Sequence, residues 1–228
     1  MRAEDIIVVK LGGSLAGSRH LAGWVDTLAN FRGRAVIVPG GGPFADAVRQ
    51  AQTKIGFKEA VAHHLALLAM EQFGQVLVSL SPRFCVADSG AAIRRILRAG
   101  SVPVWSPVKM VLRTSEILPS WDITSDSLAA WLAGDIGARQ LVLVKHGGPF
   151  DGPARADDLV TRGIVDRAFP RFLAASCVPA SIVGAKAYAS AFGRHSALGI
   201  PIDLHEPVAR RLHAQSWPRS KSHAGDGR

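Results

Sequence analysis

Six short apolar runs, separated by amphipathic stretches, constrain this chain more than any other feature of its sequence. They fall at residues 5–11 (DIIVVKL), 34–39 (RAVIVP), 75–80 (QVLVSL), 102–108 (VPVWSPV), 140–145 (QLVLVK) and 180–184 (ASIVG). They are rich in β-branched residues, and several are apolar at every position, the pattern of strands covered on both faces. The intervening segments carry helical spacing. Leu21, Trp24, Val25 and Leu28 share one face, Phe44, Ala47, Val48 and Ala51 a second, and Val61, Leu65, Leu68 and Phe73 a third. Asp88 or Ser89 is placed to cap a helix bearing Ile93, Ile96 and Leu97 that Gly100 ends, and Ser125 or Asp126 to cap one bearing Leu128, Ala129 and Leu132. Strand–helix–strand alternation predicts an α/β fold, a three-layer α/β/α sandwich around a largely parallel sheet. Neither a repeat nor a linker interrupts it, so residues 1–208 read as one domain and 209–228 as a mobile basic tail.

The net charge of +9 invites a nucleic-acid reading, but the tail from residue 209 carries +4 of it. The remaining +5 is modest and is expected to face an anionic substrate, with no nucleic-acid or membrane partner. Cys85 and Cys177 are too few for a disulfide framework or a cysteine zinc site, and read as core residues. His195, His205, His213 and His223 lack zinc-ligand spacing, so no protein-held metal is expected. Glu4 and Asp5 precede only a short apolar run, unlike the basic start and long apolar core of a signal peptide. No apolar stretch approaches the roughly 20 residues that cross a bilayer. A reducing cytoplasmic setting is the resulting expectation.

Ligands of open α/β sheets bind beyond the carboxyl ends of the strands, and the glycine clusters fall there. The first run enters Lys10-Leu11-Gly12-Gly13-Ser14, the second Pro39-Gly40-Gly41-Gly42. Glycine lets backbone amides approach an oxyanion, and a helix beginning after each loop adds a partial positive charge. Each loop alone would serve as a tight strand-to-helix turn; two at equivalent positions, with Lys10 between them, point to phosphate binding. The dinucleotide fingerprint and the Walker lysine loop are absent.

VVKLGGS at residues 8–14, VPGGG at 38–42 and DITSDSLAAWLA at 122–133 together resemble the amino acid kinase superfamily, which includes acetylglutamate, aspartate, carbamate, uridylate and isopentenyl phosphate kinases. The resemblance implies MgATP and an acceptor lying end to end across the sheet, in at least a dimer. By it, Lys10 bridges the transferring phosphoryl group, Gly12, Gly13 and Ser14 form the loop under the β- and γ-phosphates, and Gly40, Gly41, Gly42 and Thr124 belong to the acceptor side. Asp126 orients the lysine and the glycine loops; a plain helix N-cap is its other reading. Lys145 and the following Gly148, Asp151 and Gly152 correspond to the nucleotide half, although His146 stands where the superfamily commonly has an acid. Lys186 is either the second catalytic lysine or a solvated helix residue.

On the acceptor side, His63 and His64 point about 100° apart on a helix, so one at most faces a pocket. A histidine there either binds a substrate phosphate, its proton affinity rising beside the anion, or completes a core hydrogen bond. The run from His64 to Met70 and the segment GIVDRAFP at 163–170 resemble the small branch that phosphorylates 5-(aminomethyl)-3-furanmethanol phosphate in methanofuran assembly. Trp105, Trp121 and Trp131 line the acceptor cavity or pack the core, and Arg94, Arg95 and Arg98 read as solvated. The expected reaction is in-line phosphoryl transfer from MgATP to a phosphate monoester, which is already ionised and needs no general base. A non-catalytic nucleotide- or anion-binding relative is the alternative.

Overall fold

A computed structural model describes residues 6–31, 34–147, 150, 152, 154–190 and 199–204. The segment from 205 onward, and with it the expected tail, lies outside the described residues, as do Gly148, Asp151 and His195. Along the chain come β1 (Ile6–Leu11), α1 (Leu21–Asn30), β2 (Arg34–Pro39), α2 (Gly42–Ile55), α3 (Glu59–Ser79), β3 (Phe84–Ala87) and α4 (Gly90–Arg98). There follow β4 (Val102–Trp105), the single turn α5 (Val108–Val111), α6 (Ser125–Asp135), β5 (Gln140–Lys145), β6 (Ala154–Arg155), α7 (Ala156–Thr161), α8 (Phe169–Ser176), β7 (Ala180–Gly184) and β8 (Ile200–Asp203). The strands form one sheet in the order β3-β4-β2-β1-β5-β7-β8-β6, parallel at every pairing except β7 against β8.

Strand alternation divides the interior in two. Ile6 and Val8 of β1, Val36 and Val38 of β2, and Leu141 and Leu143 of β5 pack with α4, α6 and α8. Ile7, Val9 and Leu11, with Ala35, Ile37, Val142 and Val144, pack on the other face against Trp24, Val25 and Leu28 of α1 and Phe73 and Leu77 of α3. The central strands are therefore apolar at nearly every position, which explains their unbroken hydrophobic runs.

The run at 75–80, expected as a strand, is instead the C-terminal end of α3, and the edge strand is Phe84–Ala87. A short Val/Leu run has no period of its own; here it continues a 21-residue helix, with Leu77 inward and Val76 and Leu80 outward. The run at 102–108 pairs only as far as Trp105. Ser89, not Asp88, caps α4, its hydroxyl accepting from the Ala92 N–H at 3.3 Å. Cys177, expected in the core, is exposed in a left-handed turn that ends α8. Trp105 and Trp131 pack in the core, their tilted rings 6.1 Å apart, whereas Trp121 borders the cavity described below. Arg94, Arg95 and Arg98 are solvent-facing.

Candidate active site

Lys10 shares the face of β1 that carries Ile6 and Val8, and Lys145 the face of β5 that carries Leu141 and Leu143; both faces meet α6. Because β1 and β5 are parallel neighbours, with Leu11 opposite Val144, both lysines emerge at the carboxyl edge of the sheet. Asp126, in the first turn of α6, lies between them. Its Oδ1 is 2.8 Å from Lys10 Nζ and its Oδ2 2.7 Å from Lys145 Nζ. Lys10 and Asp126 are 4% and 3% exposed. Two ammonium groups thus share one buried carboxylate, the charged centre of this edge.

Burial pushes the Asp126 carboxyl up, but the charges of Lys10 and Lys145 outweigh it and hold the group at about 2. Burial likewise drives the Lys145 ammonium down, further than the Asp126 charge restores it, to about 8. Asp126 therefore does not cap its own helix as the sequence allowed: both oxygens face ammonium groups. A carboxylate from elsewhere, Asp166, takes the capping role, accepting from the N–H groups of Thr124 and Ser127, each at 3.0 Å.

The two glycine loops meet directly in front of this centre. A Cβ on Gly13 would lie 2.3 Å from the backbone nitrogen of Gly42, and one on Gly40 2.3 Å from that of Gly13. Of the clustered glycines only Gly42 has a left-handed φ, +54°; at Gly12, Gly13 and Gly40 backbone presses on backbone, and at Gly41 a Cβ would meet that of Ala45 at 2.3 Å. The Gly12 N–H donates to the Val144 carbonyl at 3.1 Å and the Gly40 N–H to the Leu11 carbonyl at 2.9 Å, stitching the loops to the strands. Those two amides are thereby occupied. The N–H groups of Gly13, Ser14, Gly41 and Gly42 have no protein acceptor among the described residues, and Gly42 opens the 14-residue α2, whose positive end adds to them.

A cavity of about 1250 Å³ runs along this edge, larger than the roughly 300–1,000 Å³ that suits one drug-sized ligand. Lys10, Gly12, Gly13, Ser14, Gly41, Gly42, Thr124, Asp126 and Lys145 all border it. At one end His63, Ala66, Leu67 and Met70 of α3 form a largely apolar wall, beside Trp121 and Arg49. The Arg49 guanidinium lies 4.4 Å from the Trp121 ring centre and 3.0 Å from Asp46. His63 Nδ1 sits 3.3 Å from the Ser120 carbonyl and 3.4 Å from its N–H, while Nε2 is buried with no protein partner. Burial lowers the His63 proton affinity below that of an ordinary histidine.

Several residues singled out by sequence stand apart. His64 is exposed on the far side of α3, Gly40 is buried behind the loop, and Lys186 and Gly152 are exposed; none of the four borders the cavity. Thr124 borders it but gives both its N–H and its hydroxyl to Asp166. Sequence reasoning missed Asp166, Arg49 and the pairing of Lys145 with Asp126. A strand-end lysine on β5 matching Lys10 on β1 is a signal for the last, but only sheet order makes the two strands neighbours. No three His, Cys, Asp or Glu side chains converge as a metal site among the described residues.

The amino acid kinase family model matches residues 5–147. A protein from Methanocaldococcus jannaschii, [5-(aminomethyl)furan-3-yl]methyl phosphate kinase, is 27% identical over 177 residues, spanning 73% of this chain and 82% of that protein. Among solved structures, uridylate kinase from Archaeoglobus fulgidus superposes with a TM-score of 0.63 at 19% identity, over 86% of this chain and 99% of that one. Carbamate kinase from Giardia lamblia bound to AMP-PNP superposes with a TM-score of 0.52 at 12% identity, over 90% and 100%. These two structures share the fold.

Proposed function

The chain belongs to the amino acid kinase family and is a phosphotransferase; from that premise we propose that it moves the γ-phosphoryl group of MgATP in line to a small phosphate monoester, giving a diphosphate, with [5-(aminomethyl)furan-3-yl]methyl phosphate as the favoured acceptor. The observation that carries the proposal is the buried Asp126 carboxylate shared by Lys10 and Lys145 at the meeting point of two glycine loops. Phosphoryl transfer asks a protein for positioning and for compensation of charge between two polyanions, and this centre suits both. An acceptor phosphate oxygen attacks the γ-phosphorus, the bond to the β,γ-bridging oxygen breaks, and ADP leaves. Lys10 and Lys145 face the charge that builds on the oxygens, and Asp126 keeps the two ammonium groups from repelling one another. Magnesium is carried on the nucleotide phosphates as part of the substrate.

The free amides of Gly13 and Ser14 suit the nucleotide phosphates, and those of Gly41 and Gly42 suit the acceptor phosphate. The apolar wall of Ala66, Leu67 and Met70 fits a small flat body, and the unpaired Nε2 of His63 fits a polar substituent on it. The resemblance to the M. jannaschii kinase supports an aminomethylfuran phosphate in that place, and with it a role in methanofuran assembly. Purified protein with MgATP and a panel of phosphate monoesters should release ADP only with its acceptor. Lys10→Ala should slow that release by roughly a thousandfold with the circular dichroism spectrum unchanged. Calorimetric ATP binding without ADP release on any acceptor would establish the non-catalytic alternative instead.

A second copy of the chain is the proposed occupant of the outer face of α3. Val61, Leu68, Val76 and Leu80 are 47%, 37%, 39% and 49% exposed there, with Leu65 half-buried among them. Val61 and Leu80, like Leu65 and Val76, stand equally far from the middle of the stripe, so an antiparallel copy would set these two pairs opposite one another about a twofold axis. Leu68→Glu should convert a dimer to a monomer in sedimentation analysis; an unchanged mass would remove α3 as the interface.

A further inference from the structure

The loop between α7 and α8 contributes one half-buried carboxylate, Asp166, that the reaction above leaves unused. Asp166 Oδ2 accepts from the Thr124 N–H at 3.0 Å, the Thr124 hydroxyl at 2.8 Å and the Ser127 N–H at 3.0 Å, while Oδ1 accepts from the Ser127 hydroxyl. Four donors from two residues converge on one side chain, and those residues flank Asp126. The same loop is tied to the approach to α6 a second time, by the Ala168 N–H donating to the Asp122 carbonyl at 3.1 Å. The first turn of α6 has no side-chain cap of its own, so its orientation rests on this carboxylate.

We propose that Asp166 is a positioning residue for phosphoryl transfer: it clamps the first turn of α6 so that Asp126 reaches Lys10 and Lys145 together. The proposal rests on the reaction assigned above. Residues 160–167 also border the cavity, so the clamp joins one wall of the site to its charged centre. The aspartate carries a second negative charge close to Asp126, at a cost: burial, followed by the Asp126 charge, raises its carboxyl above the usual range. What offsets that cost is the set of four donors and the positive end of α6.

The geometry separates two substitutions. In Asp166→Asn the amide oxygen keeps the place of Oδ2 and the amide nitrogen donates to the Ser127 oxygen, so the clamp survives without its charge. In Asp166→Ala all four donors lose their acceptor. The charged groups facing Lys145 are Asp126 from α6 and Lys10 from β1. When Asp126 is less well held, Lys145 loses the carboxylate that raises its proton affinity, and its titration moves to lower pH.

The experiment compares wild type, Asp166→Ala and Asp166→Asn by steady-state kinetics across pH, and by NMR titration of the lysine side chains in protein without substrate. Asp166→Ala should lose about 10- to 100-fold in kcat, with KM for ATP and acceptor within about twofold, the pattern of a misplaced centre rather than a lost contact. Its alkaline limb and its Lys145 titration should both fall below the wild-type value of about 8. Asp166→Asn should restore kcat to within about threefold of wild type, as retained geometry requires. A folded Asp166→Ala protein with wild-type kcat and Lys145 titration would overturn the clamp. If Asp166→Ala does not fold, the double variant Thr124→Val/Ser127→Ala, which removes the two hydroxyl donors, should shift Lys145 in the same direction, and no shift would overturn it. A wild-type protein that turns over no acceptor would refute the assigned reaction, while the lysine titration would still decide the clamp.

Discussion

Asp126→Asn should remove nearly all turnover and destabilise the fold more than any other change at the site. The carboxylate holds two ammonium groups within 2.8 Å of its oxygens in a buried setting. Asparagine keeps the shape but leaves Lys10 and Lys145 without a counter-charge and facing one another. Breaking a buried pair in this way typically costs about 3–5 kcal/mol, which for a chain of this size lowers the unfolding midpoint by about 6–20 °C. The rate should fall by roughly a thousandfold or more, since in the proposed reaction both cations lose the geometry that faces the transferring group. The pH dependence gives the sign. In wild type Lys145 sheds its proton near pH 8, against 10.5 for an ordinary lysine. Between those values the unfolded chain binds more protons than the folded one, so this group makes stability rise with pH across that window. In Asp126→Asn the lysine titrates lower still. The deficit relative to wild type should therefore be largest where the lysine is charged in both proteins, shrink as pH rises toward 8, and stay at its smaller value above it, as neutral lysine needs no partner. Thermal unfolding at pH 7 and pH 9.5 checks this; a deficit equal at both would show that uncompensated charge is not its cause.

Gly40→Ala and Gly13→Ala should each cost at least about a hundredfold in kcat/KM, the scale of an ångström-sized misplacement at a reacting centre. A methyl on Gly40 meets the Gly13 nitrogen at 2.3 Å and its Cα at 2.9 Å; one on Gly13 meets the Gly42 nitrogen at 2.3 Å and its Cα at 2.7 Å. Both obstacles are backbone, so the clash is relieved only by driving the two glycine loops apart. Overpacking of this kind usually costs about 1–3 kcal/mol in stability, so the variants should still fold. Gly17→Ala is the stability control, because a methyl there meets nothing within 4 Å and φ is not left-handed. Wild-type kcat/KM in either loop variant would mean that the loops need not touch.

Much of this was readable in residue order. The β-branched runs at 5–11, 34–39 and 140–145 read as strands covered on both faces, and they are β1, β2 and β5. The two glycine loops could be located because strand ends and ligand sites coincide in parallel sheets. The error at 75–80 has the same origin as those successes: a short apolar run declares that it is buried, not which backbone buries it. His63 and His64 show a similar limit, since helical spacing separates their faces but does not say which face turns inward; the inward one is His63.

The chain's own order determined the layered α/β architecture, the glycine loops, Lys10 and Asp126, because each is written in local periodicity or in a compact motif. Tertiary structure alone decided that Lys145 shares Asp126 with Lys10, 135 residues away in sequence, and that Asp166 caps the helix bearing Asp126. It also left Lys186 exposed and away from the cavity. The reason is physical. A charge buried in a low-dielectric edge must find its counter-charge and its donors there, and strand order, not sequence distance, sets which residues arrive at that edge.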